Sequence, residues 1–267
     1  PSFVCYQPIT KIVGGTPVTV DVLAEDQFQL TAEKLERVIT DKSKILILSY
    51  PNNPTGGTMD REALIKIADV VKKYDLLVLT DEIYAELVYD EPFVSIAELP
   101  GMRERTIVIN GFSKGFAMTG WRLGFVAGPE LFMEQLLKLH QYTIMAAPTA
   151  SQYAALAGLK NNWQETVEEM RLSYEERRNY LHHRLEKMGL PCYKAKGAFY
   201  LFPQVSHFGL SSEAFALRLL EEENLAVVPG SAFGDSGEGF IRLSYAYSLD
   251  ELKEAMTRME RFIAKIN

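Results

Sequence analysis

The sequence contains little cysteine, no long basic run and no long apolar run, and each shortage excludes a class of protein. Cys5 and Cys192 are its two cysteines, so a disulfide framework and a cysteine-rich metal site are both excluded. This usage fits a reducing, cytoplasmic setting. Lysine and arginine total 28 against 35 acidic residues, which argues against a nucleic-acid surface. We find no signal peptide and no apolar run long enough to cross a bilayer, so we expect no membrane partner.

The composition that remains is that of an ordinary globular protein. Hydrophobic residues make up 47% and charged residues 24% of 267 positions, enough for one large domain or two unequal ones. The chain opens at Pro1 in a strand-and-turn pattern with no methionine, and Val18–Val22 is rich in strand-forming residues after the Gly14–Gly15 turn. We therefore expect an N-terminal portion to precede it.

Short apolar runs separated by a helical segment predict a mostly parallel sheet. The runs are Lys44–Ser49, Leu76–Thr80 and Thr106–Asn110, and their continuity is typical of strands buried on both faces. Arg61–Tyr74 has helical periodicity and an N-cap in Asp60. The order strand, helix, strand indicates βαβ units in an α/β fold.

Polar residues follow each predicted strand. Because ligands of parallel sheets bind beyond the carboxyl ends of the strands, we expect Asn53, Asp81, Tyr84 and Lys114 to converge in one cleft.

Beyond residue 130 the pattern becomes helical and then changes to a smaller α+β unit. A long charged helix is predicted over Trp163–Lys187, and its His182 and His183 are expected to be exposed, since no HExxH spacing surrounds them. Short helices and strands follow Pro191. We predict a large domain over 1–158 and a small C-terminal domain over 159–267. The elements expected in the small unit are strands Ala198–Pro203, Ala226–Val228 and Phe240–Tyr245 and helices Ser211–Asn224 and Asp250–Lys265.

One lysine lies in a loop of mostly Gly, Phe, Ala and Met, within the stretch Asn110–Gly124. Apolar surroundings disfavour the charged form of Lys114, which makes its amine available as a nucleophile. Arg122 nearby offers a planar fork suited to a phosphate. Together they suggest a Schiff base to an aldehyde cofactor that carries a phosphate. The alternative is a surface loop with two unrelated cations.

These residues belong to five motifs that occur in the order typical of one enzyme family. They are PNNPTG (Pro51–Gly56), DEIY (Asp81–Tyr84), SK…GWRLG (Ser113–Gly124), KGAFYLF (Lys196–Phe202) and FIRLSYA (Phe240–Ala246). From end to end, the chain resembles the class I/II pyridoxal-phosphate aminotransferases of fold type I. Within that family it is similar to bacterial aromatic and N-acetyl-LL-diaminopimelate aminotransferases.

The resemblance implies a fold, a reaction and an assembly. The fold would be type I, a mostly parallel sheet flanked by helices and lacking its N-terminal part, with residues 1–158 binding the cofactor pyridoxal 5′-phosphate. The reaction would move an amino group from an L-amino acid of the aromatic, aspartate or N-acetyl-diaminopimelate type to a 2-oxo acid such as 2-oxoglutarate. The enzyme would be a cytoplasmic homodimer that serves amino-acid biosynthesis.

The resemblance also implies catalytic roles. Lys114 would hold the cofactor and move the substrate's α-proton. Asp81 would pair with the pyridine nitrogen and keep it protonated, which strengthens the ring as an electron sink. Asn53 and Tyr84 would hydrogen-bond the phenolic oxygen of the ring, and Asn53 would also bind the substrate.

Further residues would bind the phosphate, the ring and the substrate. Arg122 would bind the phosphate, Arg242 would grip the substrate α-carboxylate in a two-point fork, and Phe3 would stack on the ring. Gly111 departs from the family, because many relatives have a phosphate-binding serine there, so Ser113 is the expected hydroxyl. The family's phosphate loop and N-terminal arm are not found in this sequence.

Structural interpretations stay open for several of these residues. Asp81 would merely cap a turn, Tyr84 would simply pack, and Arg242 would form a surface ion pair of little energy. The segment Pro229–Gly239 lacks the Walker lysine pattern and is interpreted as a turn region, and Cys5 as a packing residue.

Two other functions are compatible with the motifs. One is a carbon–sulfur β-lyase on the same fold, and the other is the aminotransferase-like sensor of a transcription regulator. For the aminotransferase, the aromatic residues Phe3, Tyr6 and Phe199 favour aromatic or long-chain donors.

Overall fold

The computed structural model describes residues 1–266, which form two compact units. The three-strand unit contains residues 1–29, 52–58 and 172–266, and the four-strand unit contains 30–51 and 59–171. These units group the first 29 residues with the C-terminal part of the chain, unlike the predicted domains 1–158 and 159–267. That predicted division into a cofactor-binding and a small domain stays a prediction.

The four-strand unit is built on a mixed sheet. Its strands lie in the order β1-β2-β3-β4; the first three are parallel and β4 is antiparallel to β3. The mostly parallel sheet is thus confirmed. The strands are β1 (Ile45–Ser49), β2 (Leu77–Asp81), β3 (Thr106–Gly111) and β4 (Gly124–Ala127).

Strand β1 is buried on one face only. Leu46 and Leu48 are buried, whereas Ile45 is 58% and Ile47 36% exposed. Alternate side chains of a strand point to opposite faces of the sheet, so this pattern leaves one face of β1 exposed. The expectation of burial on both faces is therefore wrong for β1.

Helices complete this unit, and their boundaries follow the capping residues. Helix α2 (Ala32–Glu36) begins after Thr31, whose Oγ1 accepts a hydrogen bond from the Lys34 N–H at 3.3 Å. Helix α3 (Arg61–Lys73) begins after Asp60, whose Oδ1 accepts from the Ala63 N–H at 2.8 Å. The cap at Asp60 was predicted. The apolar face of α3 is buried through Leu64, Ile67, Ala68, Val70 and Val71.

The helical region contains α4 (Glu130–Thr143), α5 (Thr149–Lys160) and α6 (Trp163–Lys187). The predicted bounds of α6 are confirmed, and the boundary between the two units falls within it. His183 is exposed as expected, but the expectation is wrong for His182, whose Nε2 lies 3.0 Å from the Cys192 carbonyl oxygen. Over residues 1–266, none of the helices combines the length and the apolarity that a membrane span requires.

The three-strand unit has an antiparallel sheet in the order β5-β7-β6. The bounds of its elements differ from the predicted bounds by one or two residues. Its core includes Phe215 against Phe262, with ring centroids 5.1 Å apart. The elements are β5 (Tyr200–Leu201), α7 (Ser212–Glu223), β6 (Val228–Pro229), β7 (Ile241–Ser244) and α8 (Leu249–Ile266).

The start of the chain differs from the prediction. Helix α1 (Tyr6–Ile12) occupies the expected strand-and-turn segment. Gly14–Gly15 follows its end, and the Gly15 N–H donates to the Thr10 carbonyl at 2.8 Å. The predicted strand at Val18–Val22 is wrong, because this segment has no strand partner among residues 1–266 and Val18 is 63% exposed.

Candidate active site

The lysine loop leaves β3 and turns back towards β4. The Met118 N–H donates to the Phe112 carbonyl at 3.1 Å, and the Ala117 N–H donates to the Lys114 carbonyl at 3.1 Å. The rings of Phe112 and Phe116 lie 5.0 Å apart, so the half-buried Lys114 stands between aromatic neighbours in the sequence.

Tyr84 lies close to this lysine. The Nζ atom of Lys114 is 5.8 Å from the centroid of the Tyr84 ring, within the range of a cation–π contact. Tyr84 is 5% exposed. The two predicted catalytic residues are therefore brought together in the four-strand unit.

Asp81 is the last residue of β2. It pairs in register with Ser49 of β1 and with Ile109 of β3, which places it at the carboxyl edge of the parallel strands. Its Oδ1 accepts a hydrogen bond from the Ile83 N–H at 3.2 Å, so the turn-capping interpretation is correct for this oxygen. The position at the strand end agrees with the location expected for ligand-binding residues.

The next residue, Glu82, carries a buried carboxyl group that sequence reasoning did not single out. It is 5% exposed, and its Oε1 accepts hydrogen bonds from Ser95 Oγ at 2.7 Å and Thr80 Oγ1 at 3.2 Å. Burial raises the pKa of this carboxyl above its ordinary value. Its backbone N–H donates to the Ile109 carbonyl at 2.8 Å. Glu82 therefore fixes the turn that follows Asp81.

Gly111 has a steric reason to be glycine. It faces Gly124 across the β3–β4 pair, and a Cβ at Gly111 would lie 2.8 Å from Gly124 Cα and 2.9 Å from the Leu123 carbonyl oxygen. The close approach of the two strands leaves little room for a side chain at this position.

Arg122 and Ser113 are joined through Thr119. Arg122 Nη1 donates to the Thr119 carbonyl at 3.0 Å, and Thr119 Oγ1 donates to the Ser113 carbonyl at 2.7 Å. Arg122 is exposed, and no carboxylate among residues 1–266 forms an ion pair with it. Its fork is thus available to an anion such as a phosphate.

Asn53 lies in the other unit, in the buried PNNPTGG loop. The loop is closed by the Asn52 side chain, which accepts from Thr55 Oγ1 at 3.0 Å, and by the Asn52 N–H, which donates to the Gly57 carbonyl at 2.8 Å. Gly56 has φ 69°, and a Cβ there would lie 2.3 Å from Ala195 Cβ. The convergence of Asn53 with Asp81, Tyr84 and Lys114 stays a prediction.

Asn53 and Arg242 contact each other. Arg242 lies in β7, and its Nη1 donates to Asn53 Oδ1 at 2.9 Å. The Nε atom of Arg242 is buried without a hydrogen-bond partner, and the part of the chain described by the structure provides no carboxylate partner. The surface ion-pair interpretation is therefore not supported. A buried, unpaired donor of this kind fits a carboxylate ligand.

The segment Pro229–Gly239 is a turn region, as predicted, with 3₁₀ turns at Gly230–Phe233 and Asp235–Gly237. Sequence reasoning missed that it brings the ring of Phe233 to within 5.0 Å of the Arg242 guanidinium.

Phe3 is 38% exposed, and its ring meets that of Tyr6 edge-on, with centroids 6.2 Å apart. Two of the three aromatic residues expected near the substrate side chain thus lie in contact with each other where α1 begins. Among residues 1–266, no group of three or more His, Cys, Asp or Glu side chains is arranged to hold a metal ion.

Comparison with known proteins identifies the family. The family model described as aminotransferase class I and II matches residues 1–259. Aromatic-amino-acid aminotransferase 2 of Thermococcus litoralis is 48% identical over 266 residues, covering 98% of this chain and 68% of that protein. The aspartate aminotransferase of Pyrococcus abyssi is 47% identical with the same coverage. The crystal structure of the aromatic aminotransferase from Pyrococcus horikoshii OT3 has a TM-score of 0.97 and 48% identity, covering 99% of this chain and 72% of that one.

The chain belongs to the aminotransferase class I and II family. It has the type I fold of pyridoxal-phosphate enzymes and is an enzyme that transfers amino groups. The predicted family, fold and enzyme class are confirmed, and the lyase and regulator alternatives are not favoured by these relatives.

Proposed function

We propose that this enzyme uses pyridoxal 5′-phosphate to move the amino group of an L-amino acid with an aromatic or long apolar side chain to a 2-oxo acid, with 2-oxoglutarate as the acceptor. The observation that carries the choice of amino acids and 2-oxo acids as substrates is Arg242, whose buried Nε atom has no hydrogen-bond partner. A carboxylate is the natural partner of such a fork, and every amino acid and 2-oxo acid has one at the same place.

The residues of the four-strand unit fit the cofactor. Lys114 would hold it, Asp81 would accept a hydrogen bond from its protonated pyridine nitrogen, and Tyr84 would donate to its phenolic oxygen. Arg122 and Ser113, which are linked through Thr119, would bind the phosphate. When bound, the cofactor supplies an electron sink for the negative charge that develops at the substrate's α-carbon.

The residues of this chain would then bind the substrate, orient it and move one proton. Arg242 binds the α-carboxylate with two parallel N–H donors, which fixes the orientation of the α-carbon. Lys114 takes the proton from that carbon and returns a proton in the reverse direction. Asn53 holds Arg242 through the 2.9 Å hydrogen bond and would also contact the phenolic oxygen of the cofactor.

Support for the donor class comes from aromatic side chains. Phe3, Tyr6 and Phe199 were expected near the donor's side chain, and Phe3 would in addition stack on the cofactor ring. The names of two similar proteins point to aromatic donors, and that of another points to aspartate.

We include a two-fold dimer and a cytoplasmic location in this proposal, both by likeness to the family. Neither Cys5 nor Cys192 forms a disulfide, which agrees with a reducing compartment. Sedimentation should give a dimer, and a stable, fully active monomer would contradict this part of the proposal.

A donor panel tests the proposed function. The kcat/KM values for phenylalanine, tyrosine, aspartate, alanine, cystathionine and N-acetyl-diaminopimelate should be highest for the aromatic donors with 2-oxoglutarate as acceptor. Exclusive use of aspartate would overturn the aromatic assignment. Release of pyruvate and ammonia from cystathionine would move the protein to the lyases.

A further inference from the structure

Two aromatic rings lie against the guanidinium of Arg242. Its central carbon is 4.6 Å from the centroid of the Tyr200 ring and 5.0 Å from that of the Phe233 ring. Both distances are within the cation–π range of about 6 Å. Tyr200 is 6% and Phe233 5% exposed, so water screens these contacts little. We call Tyr200 and Phe233 the ring pair.

An arginine that must bind a ligand needs support that leaves its N–H groups available. A protein carboxylate would hold the guanidinium but would also occupy the fork. An aromatic ring attracts the cation through its π-face and accepts none of the in-plane N–H groups. Arg242 has this second kind of support, with one hydrogen bond to Asn53 and an unpaired Nε.

The sheet positions the first ring. Tyr200 of β5 is paired with Ser244 of β7, so Arg242, two residues earlier on β7, is its diagonal neighbour on the same face. Leu201 and Leu243, paired beside them, point to the opposite face and are buried. A register shift of one residue would therefore move Tyr200 away from Arg242.

The close backbone contact between Gly230 and Gly237 positions the second ring, that of Phe233. A Cβ at Gly230 would lie 2.0 Å from the Gly237 carbonyl oxygen, and a Cβ at Gly237 would lie 2.1 Å from the Gly230 carbonyl oxygen. The Gly230 N–H donates to the Phe240 carbonyl at 2.8 Å, and the Phe233 carbonyl accepts from the Ser2 N–H at 3.1 Å. Only glycine permits this close approach, which fixes the turn that carries Phe233.

We infer that Tyr200 and Phe233 are positioning residues that hold the Arg242 guanidinium with its N–H fork ready for the substrate's α-carboxylate. This inference rests on the proposed function, because it assumes that Arg242 binds that carboxylate. It assigns to the turn Gly230–Gly237 a specific part in substrate recognition. The ring pair should strengthen the preference for donors that carry an α-carboxylate and leave other donors unaffected.

The experiment compares the best donor of the panel with its α-amide, in which a neutral carboxamide replaces the carboxylate. The spectral change of the cofactor-loaded enzyme in a single turnover gives kcat/KM for the acid and for the amide, even where the amide reacts slowly. Phe233→Leu keeps an apolar side chain and removes the ring, so kcat/KM for the acid should fall about 2- to 30-fold, the range for a cation–π contact. The kcat/KM for the amide should change less than about twofold. Phe233→Tyr keeps an aromatic ring, so its kcat/KM for the acid should stay close to that of the wild type.

Matched variants separate positioning from loss of structure. Phe215→Leu makes the same substitution in the core against Phe262 and should leave the ratio of acid to amide unchanged. If Phe233→Leu does not fold, Tyr200→Leu with Tyr200→Phe as its rescue makes the same test on the other ring.

The outcomes are distinguishable. Equal losses for acid and amide in Phe233→Leu, or no loss for either, overturn the role of the ring pair. A wild-type enzyme that does not discriminate between acid and amide overturns instead the assignment of Arg242 in the proposed function.

Discussion

Replacing Arg242 with lysine tests the carboxylate site. Lysine keeps the positive charge but presents a single ammonium group in place of the planar fork. The variant loses the geometry of the 2.9 Å hydrogen bond to Asn53 and the buried Nε donor that has no protein partner. Because charge is conserved, any loss of activity reports the fork rather than the cation.

The size of the effect follows from the bonds that are lost. A hydrogen bond to a charged group contributes about 1–3 kcal/mol. Loss of one arm of the fork should therefore lower kcat/KM about 5- to 150-fold. All donors share the α-carboxylate, so the factor should be the same for each of them.

The assay is kcat/KM over the donor panel, with Arg258→Lys as the matched control. Arg258 lies on α8, and its Nε binds Glu254 at 2.9 Å, an i,i+4 pair of little energy. That variant should remain within about twofold of the wild type. In a double-mutant cycle, Arg242→Lys and Asn53→Ala should be coupled by about 0.5–3 kcal/mol, because the two side chains contact each other.

A loss confined to some donors would refute the reasoning, since Arg242 would then bind the side chain of the donor. Unchanged kcat/KM for all donors would show that another group binds the carboxylate.

Three further changes test the four-strand unit. Asp81→Ala should keep the fold and slow α-proton transfer about 10²- to 10³-fold, the range for a lost electrostatic partner, and near-wild-type rates would make Asp81 structural. Gly111→Ser should lower the free energy of unfolding by about 1–3 kcal/mol, because the new Cβ would lie 2.8 Å from Gly124 Cα. The control Gly120→Ser should change that free energy little, since a Cβ at Gly120 has no atom within 4 Å. Equal melting temperatures for the two variants would contradict this reasoning. Burial raises the pKa of Glu82, so the native state keeps a proton that the unfolded state releases, and stability falls as pH rises from the ordinary value of 4.5 through the folded pKa. Glu82→Gln cannot titrate, so its stability relative to the wild type should increase between pH 4.5 and pH 7, and a constant difference would refute this.

The strands and capped helices were predictable because their signals are local. The apolar run before Asp81 and the cap at Asp60 depend on neighbouring residues in the chain, and both were found where expected. Val18–Val22 has strand composition without a strand, because pairing needs a partner that composition does not reveal. The burial of one face of β1 likewise depends on the neighbouring elements.

The candidate site could be proposed from residue types, whereas the contacts that support its side chains could not. The motifs led to Lys114, Asp81 and Arg242, because chemistry restricts which side chains can serve. The contact of Phe233 with Arg242 depends on a turn between two strands, and the hydrogen bond of Glu82 with Ser95 joins residues 13 apart in the chain. No local pattern specifies such contacts.

Borohydride reduction of the cofactor-loaded protein tests the central claim most directly. The visible absorbance should be lost on reduction, and peptide mapping should place the label on Lys114. A label on another lysine, such as Lys11 or Lys196, or the absence of any label, would contradict the account.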